Sequence, residues 1–490
     1  MTSRRDFLRR LSLATAAAMA PTGLEALCAR VASGASIETH GFGRLIPDPS
    51  GLLDLPEGFR YRSFSSARLG DTSDIQFSQT LTNGEPVPAL HDGMAVFSGA
   101  RGVMVLIRNH EMDPGQMPAV APGRTPRWDR LGTGGTTTLW VNEQGELVRA
   151  FASLAGTFRN CAGGATPWGS WLSAEECVYT PGPADPHVYH QRPDVAESHG
   201  YMFEVDSRAE DLVAARPIRG MGRFYHEAVA VDPATGYVYL TEDRADGLFY
   251  RFRPHVITSK IKHPRDLAVG DLHQGGTLEA LRLRDHPKAL TQNHEDGPPR
   301  FLPGKWMRID CVAIPDPEPK VDMERNPNDR EPDPLKRVPR TASTSTRAQG
   351  FELGAAQFSR CEGITRLGRL FYFCATNGGH AGAGQVWKFD PSGNRIALVV
   401  EPNDRDQLDG PDNLTMAPNG DLMVCEDGTG ENFVVGITPR GTCYHFARNA
   451  HNRSEFAGAC FSADGRTLFV NMQDPGVTYA IQGPWQGRKA

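Results

Sequence analysis

A two-stranded unit recurs along this chain of 490 residues, and it limits the fold more than any other feature. A strand enters from a short polar motif, a tight glycine turn reverses it, and a second strand ends in acids or amides. The clearest copy spans residues 226–243, opening on His226 and Glu227, turning at Gly236 and ending on Glu242 and Asp243. Others run from Asp412 through Gly420 to Glu426 and Asp427, and from Glu455 through Gly465 to Asn471. The arms alternate or run apolar at strand length, and the D-P-x-x-G, P-N-G and A-D-G turns are hairpin chemistry. Looser copies open at His91, Asn160 and Arg360 and close near Glu111, Glu176 and Asn377. The six starts fall near residues 91, 161, 227, 361, 411 and 455, each hairpin being followed by one or two more strand-like runs. Four-stranded repeats of about 40 residues or more describe propeller blades. An all-β, six-bladed β-propeller is therefore expected. The last hairpin has little chain behind it, so residues 58–64 are expected to supply its outer strand and close the ring. A pair of β-sandwiches is the alternative, but it leaves the acids at matching hairpin positions unexplained.

Residues 254–350 break the repeat, with a Pro-alternating run at 314–319 and a stretch rich in Pro, Arg, Asp and Glu at 323–347. They read as a long irregular insertion on one face, or a lid over the site. The rest of 40–490 reads as a single propeller domain. At the start, Ser3, Arg4, Arg5, Asp6, Phe7 and Leu8 resemble a twin-arginine signature, followed by an Ala-rich apolar run over 11–20. Residues 1–35 are thus expected to be a signal peptide and leader. They imply an exported, periplasmic or secreted protein that uses the twin-arginine translocation machinery and crosses already folded. No stretch reaches the ~18 apolar residues of a membrane span, so no stable membrane anchor is expected. A net charge of −6 gives no electrostatic reason to expect nucleic acid. The nine cysteines form no CxxC pair.

In a propeller, the inner strands line a central channel and one rim of hairpin ends faces inward. That placement gathers Glu111, Cys161, Glu175 or Glu176, Glu227, Glu242, Asp243, Glu362, Asp412, Glu426 and Glu455. So many carboxylates in a partly buried mouth require cations. Oxygen-rich cages select hard ions such as Ca²⁺ or ferric iron. The alternative is that each acid caps a turn at an exposed rim. Cys161 stands where other hairpins carry acids, with Gly163 and Gly164 allowing close backbone approach. A thiolate there is a soft ligand in a hard cage, pointing to a transition metal beside calcium; a plain buried cysteine is the alternative. Arg360, two residues before Glu362, fits a clamp for an anion such as phosphate, or a salt bridge to Glu362 alone.

These residues resemble the PhoX family of alkaline phosphatases over most of the mature chain. The likeness runs through Asn109, His110 and Glu111, the stretch from Asn160 and Cys161 through Thr166, Pro167, Trp168, Gly169 and Trp171 to Glu176, and His226 and Glu227. It continues at Glu242 and Asp243, Arg360 to Gly363, Asp412 to Leu414, and residues 455–476. The resemblance implies a monomeric propeller that hydrolyses small-molecule phosphomonoesters with ferric iron (Fe3+) and calcium (Ca2+) joined by an oxo bridge. Cys161 is then an iron ligand, with Glu242 and Glu362 as further ligands. Glu111, Glu176, Glu227 and Asp243 hold iron or calcium, and Arg360 binds the substrate phosphate. Asp474 stands where the family pattern has histidine, which bears on substrate range. Two other classes remain open: a calcium-dependent propeller hydrolase of lactones or other esters, and a metal-binding propeller without catalysis.

Overall fold

The structure, a computed structural model, describes residues 41–67, 79–183, 191–259, 267–294, 299–320 and 344–486. The expected leader, 1–35, lies outside the described residues, as does 321–343 of the expected insertion. Among the described residues no helix is long and apolar enough to cross a membrane.

The protein is built almost entirely of antiparallel strands in a propeller arrangement. Each of the six repeats forms a hairpin whose first strand lies innermost: His91–Ser98, Asn160–Ala165, His226–Val231, Cys361–Leu367, Pro411–Met416 and Phe456–Phe461. Each inner strand touches the next, and the sixth touches the first, so the six close a ring. Apolar residues from neighbouring sheets fill the wedges between them. Tyr239, Phe249, Phe371, Phe373 and Phe389, for example, form one buried aromatic cluster between the third and fourth hairpins.

Six separate sheets of four strands are not what the hydrogen bonding makes. Four sheets hold four or more strands, with six, nine, four and four, and the second hairpin sits in a sheet of three. The nine-stranded sheet joins the third and fourth hairpins by their outer edges, where Trp306 pairs with Ala397 and Arg308 with Arg395. The joining strands, Gly276–Leu283 and Trp306–Ala313, lie inside the range expected to be irregular. They form because Leu281, Leu283 and Ile309 are apolar enough to be buried in the same cluster, so that part of the insertion expectation is corrected. The described end of the insertion is a short helix, Thr346–Glu352, capped by the Ser345 hydroxyl accepting from the Ala348 N–H at 3.2 Å. The helix carries Arg347 into the interior, where it is fully buried.

The chain ends meet as the repeat pattern requires. Arg60–Phe64 pairs antiparallel with Val477–Gln482, from Thr478 opposite Phe64 to Gln482 opposite Arg60. Leu53–Pro56 adds a second tie, pairing with Cys443–Asn449 in the adjacent sheet. At the seam the buried Arg108 donates to the Ser65 hydroxyl at 3.1 Å, Thr137 Oγ1 at 3.1 Å and Thr478 Oγ1 at 2.7 Å. One guanidinium thus fastens both chain ends to the first sheet. Phe64 is buried and meets Phe469 edge-on at 6.3 Å. Truncating it is expected to cost about 3–5 kcal/mol, whereas Arg62→Ala, at an exposed position of the same strand, should cost under about 0.5 kcal/mol. Urea unfolding of both variants checks this, and equal losses would show that the seam does not depend on buried packing.

Candidate metal centre

Every inner hairpin breaks its pairing near the start of its inner strand. In the first five, the first residue of the inner strand pairs with the last of its partner: His91 with His110, Asn160 with Glu175, His226 with Glu242, Cys361 with Ala375, and Pro411 with Glu426. Pairing resumes three residues later on the inner strand but two residues earlier on its partner. In the sixth hairpin the extra residue falls between Ala457 and Cys460. Such a bulge bends the strand and re-aims its side chains. The residues at the bend, Asp92, Cys161, Glu227, Glu362 and Asp412, are all buried. The tight glycines beside them let the inner strands close up: a Cβ on Gly93 would lie 2.5 Å from the Ala162 Cα, and one on Gly363 2.5 Å from the Asp412 carbonyl oxygen.

A second tier sits above the first. Glu111, Glu176, Asp243, Thr376, Asp427 and Gln473 each follow the end of a partner strand. Their N–H groups donate to the carbonyls of Leu90, Arg159, Tyr225, Arg360, Gly410 and Glu455, the residues just before the inner strands, at 2.8–3.2 Å. Six equivalent backbone bonds therefore aim six side chains at one mouth.

The ligand atoms gather into three adjoining groups, each within 4.8 Å: Asp92, Glu111 and Cys161; Cys161, Glu176 and Glu227; Glu227, Glu362 and Asp412. Cys161 links the first two and Glu227 the last two. The Cys161 thiol lies 3.3 Å from Glu227 Oε1 and 3.5 Å from Asp92 Oδ2. Gln473 Nε2 donates to Asp92 Oδ2 at 3.1 Å and to Glu111 Oε2 at 2.8 Å. Two arginines flank the row. Arg159 Nη2 lies 2.5 Å from Glu111 Oε1 and also bonds Glu176. Arg360 holds Asp243 through Nε at 3.0 Å and Glu362 through Nη2 at 2.6 Å.

Two arginines do not balance this much buried negative charge. Burial raises the Asp92 carboxyl to about 6 and, against the pull of Arg159, raises Glu111 to about 7. Burial, reinforced by neighbouring carboxylates, holds Glu176, Glu227, Glu362 and Asp412 well above the carboxylate range. The Cys161 thiol is pushed well up by burial and then by Asp92 and Glu227. Glu227 Oε2 is buried and has no hydrogen-bond partner among the described residues. An unpartnered carboxylate oxygen beside a sulfur and further acids is what a cation-binding cage requires. The donor set fits a metal cluster.

Of the residues expected to bind metal, Glu111, Cys161, Glu176, Glu227 and Glu362 come together, and Arg360 stands beside them. Asp243 is at the mouth but outside the three groups, held by Nε and Nη2 of Arg360. Glu242 is a correction. It pairs with His226 at the end of its strand, one residue short of the mouth, and its carboxylate points into the sheet. There it meets Arg347 Nη1 at 3.3 Å, Tyr250 OH at 2.8 Å and the Leu248 N–H at 3.2 Å. Glu175 and Glu426 hold the equivalent position and do equivalent work, each accepting one backbone N–H from the segment before its hairpin (Phe158, Asp409) and one from the chain after it (Gly200, Phe433). Strand alternation sends one acid inward to hold a loop and the next to the mouth. Asp92 and Arg159 are site residues that the repeats did not single out. The signal was there, since Asp92 follows His91 as Glu227 follows His226, and Arg159 precedes Asn160 as Arg360 precedes Cys361.

Comparisons with known proteins bear on the family and the fold. The family model described as alkaline phosphatase PhoX matches residues 40–149 and 144–476. No curated protein sequence matches the chain. Among solved structures, Pseudomonas fluorescens PhoX in complex with vanadate, a transition state analogue, aligns at a TM-score of 0.61 with 18% identity over 89% of this chain and 97% of its own. A gluconolactonase from Xanthomonas campestris aligns at a TM-score of 0.37 with 12% identity, over 91% of this chain and 99% of its own.

Stability of the chelated protein should depend on pH with a definite sign. Asp92 and Glu111 have folded values above the ordinary carboxylate range of about 4, so the folded state holds protons that the unfolded state has released. Their stabilisation is complete below pH ~4 and is lost as pH rises through about 6 and about 7. The thermal midpoint of chelated protein is expected to fall between pH 5 and 8, with added metal restoring more at pH 8 than at pH 5. A flat profile would mean that the arginines already compensate the ring. Glu242→Gln should cost about 3 kcal/mol by weakening a buried ion pair, with bound metal per folded chain unchanged. Loss of metal in that variant would return Glu242 to the cage.

Proposed function

Because the chain belongs to the PhoX family of alkaline phosphatases, we propose that its central mouth holds ferric iron beside calcium and there hydrolyses phosphomonoesters to an alcohol and inorganic phosphate. The observation that carries this assignment is one cysteine sulfur set among buried carboxylates from separate hairpins. Oxygen donors suit calcium and ferric iron, and a thiolate adds a ligand that calcium does not seek. A calcium-only hydrolase of lactones or other esters has no use for that sulfur. We read the six inner hairpins as six blades, two of them sharing one sheet through their outer edges.

In this scheme Cys161, Asp92, Glu111, Glu176 and Glu227 hold one end of the cluster, and Glu227, Glu362 and Asp412 the other. When bound, the cations act as Lewis acids, drawing charge from the phosphoryl oxygens and lowering the pKa of a coordinated water. The protein supplies the remainder. Arg360 Nη1 faces the mouth, 3.7 Å from the half-exposed Asp427, where it can donate to an oxygen of the phosphoryl group as charge builds. Asp243 and Glu362 grip the other side of that guanidinium and fix its plane. Gln473 fixes the carboxylates of Asp92 and Glu111 through its amide. Cys161 must lose its proton to bind metal, so cluster assembly releases acid and is favoured by alkaline pH.

The N-terminal twin-arginine motif supports folding and metal capture before export to the periplasm or medium, and the enzyme is read as a monomer acting on small soluble esters. Elemental analysis of protein exported in folded form should give iron and calcium together. Cys161→Ala should lose iron while staying soluble and folded, and retained iron would remove the thiolate from the cage. Arg360→Gln should lower kcat/KM for p-nitrophenyl phosphate by about 10²–10³-fold with metal content unchanged. Activity within a few fold of the parent would remove Arg360 from substrate binding.

A further inference from the structure

Arg159 and Arg360 occupy the same station in the repeat, and the likeness extends to their chemistry. Each immediately precedes an inner strand with left-handed backbone, at φ 43 and 52. That conformation is unfavourable for a residue other than glycine. Each carbonyl accepts the N–H of a mouth residue, Glu176 for Arg159 and Thr376 for Arg360. Each guanidinium is shared between two carboxylates, Glu111 and Glu176 for one, Asp243 and Glu362 for the other. The remaining nitrogen also behaves alike. Arg159 Nη1 lies 3.6 Å from Asp113, and Arg360 Nη1 lies 3.7 Å from Asp427. Both distances are too long for a hydrogen bond, and both aspartates are partly exposed at the rim. The two arginine side chains are 28% and 31% exposed.

Their positions differ in one respect that matters. Arg159 borders the end of the row containing Cys161, and Arg360 the end containing Glu362 and Asp412. The four remaining stations carry Leu90, Tyr225, Gly410 and Glu455, none of them a cation. Once cations neutralise the ring, the mouth has an outward-facing guanidinium at each end. A phosphomonoester with no other charge uses only one of them.

We propose that Arg159 is a second anion-binding guanidinium of the mouth, so that the enzyme favours phosphomonoesters bearing a further anionic group, a carboxylate or another phosphate. The phosphoryl group sits with Arg360 and the metal cluster, and the second group takes N–H donors from Arg159 in a charge-assisted contact. Which end takes the phosphoryl group rests on the phosphatase assignment; the presence of two anion sites does not.

The test uses metal-loaded enzyme and two matched pairs: 3-phosphoglycerate against glycerol 3-phosphate, and fructose 1,6-bisphosphate against fructose 6-phosphate. Binding is measured by calorimetry and phosphate release separately. The parent should bind at least one doubly anionic member about tenfold more tightly than its partner, and Arg159→Gln should abolish that preference while its iron and calcium content stays at the parent's. Arg159→Lys should keep part of it. Absence of a preference in the parent, equal weakening of both members by Arg159→Gln, or loss of metal from that variant would each overturn the proposal, the last by showing that Arg159 only positions Glu111 and Glu176. Binding without phosphate release would instead sink the phosphatase assignment and leave the second anion site standing.

Discussion

Mutual repulsion among buried carboxylates is the constraint on which this molecule turns. Asp92, Glu176, Glu227, Glu362 and Asp412 are each less than a tenth exposed and converge on one axis, with a cysteine among them. No arrangement of the two flanking arginines satisfies all of them. A chain that gathers such groups in its centre either keeps them protonated or recruits cations, and the second option turns an electrostatic liability into a Lewis-acid site. The propeller suits this because the cost is spread over a ring of hairpins, each anchored by its own hydrophobic wedge.

How the groups reach one point is a matter of backbone geometry. A regular strand would alternate its side chains between the two faces of its sheet and leave the axis to whatever fell there. One extra residue in each inner strand re-aims an acid or thiol toward the centre in five of the six hairpins, the sixth carrying Gly458 there, and the bond from each mouth residue back to the residue before its inner strand fixes the second tier. Glu242 shows how sharp this selection is. It neighbours Asp243 in sequence, but alternation sends it inward to Arg347 and Tyr250 while Asp243 goes to the mouth.

Much of this was legible beforehand. The hairpin starts coincide with the inner strands because turn chemistry and apolar alternation are local signals. The closing strand at Arg60–Phe64 followed from counting strands against chain length. The convergence of Glu111, Cys161, Glu227 and Glu362 followed from their matching places in the repeats. What was hidden depends on non-local contacts. The strands at Gly276–Leu283 and Trp306–Ala313 sit in a polar, proline-broken neighbourhood and are recruited by the edge of another hairpin's sheet, so no local pattern marks them. The inward turn of Glu242 follows from alternation, but the cation that receives it there, Arg347, comes from a helix more than 100 residues later. Asp92 and Arg159 were readable, but only by treating position within the repeat, rather than residue type, as the signal.

The central claim is that a sulfur and several carboxylate oxygens share one iron. X-ray absorption at the iron edge of the exported, folded protein tests it directly. The account predicts one sulfur scatterer within a shell otherwise of oxygen, with a calcium contribution just outside it. An iron shell of oxygen alone, or iron absent from active protein, would contradict it.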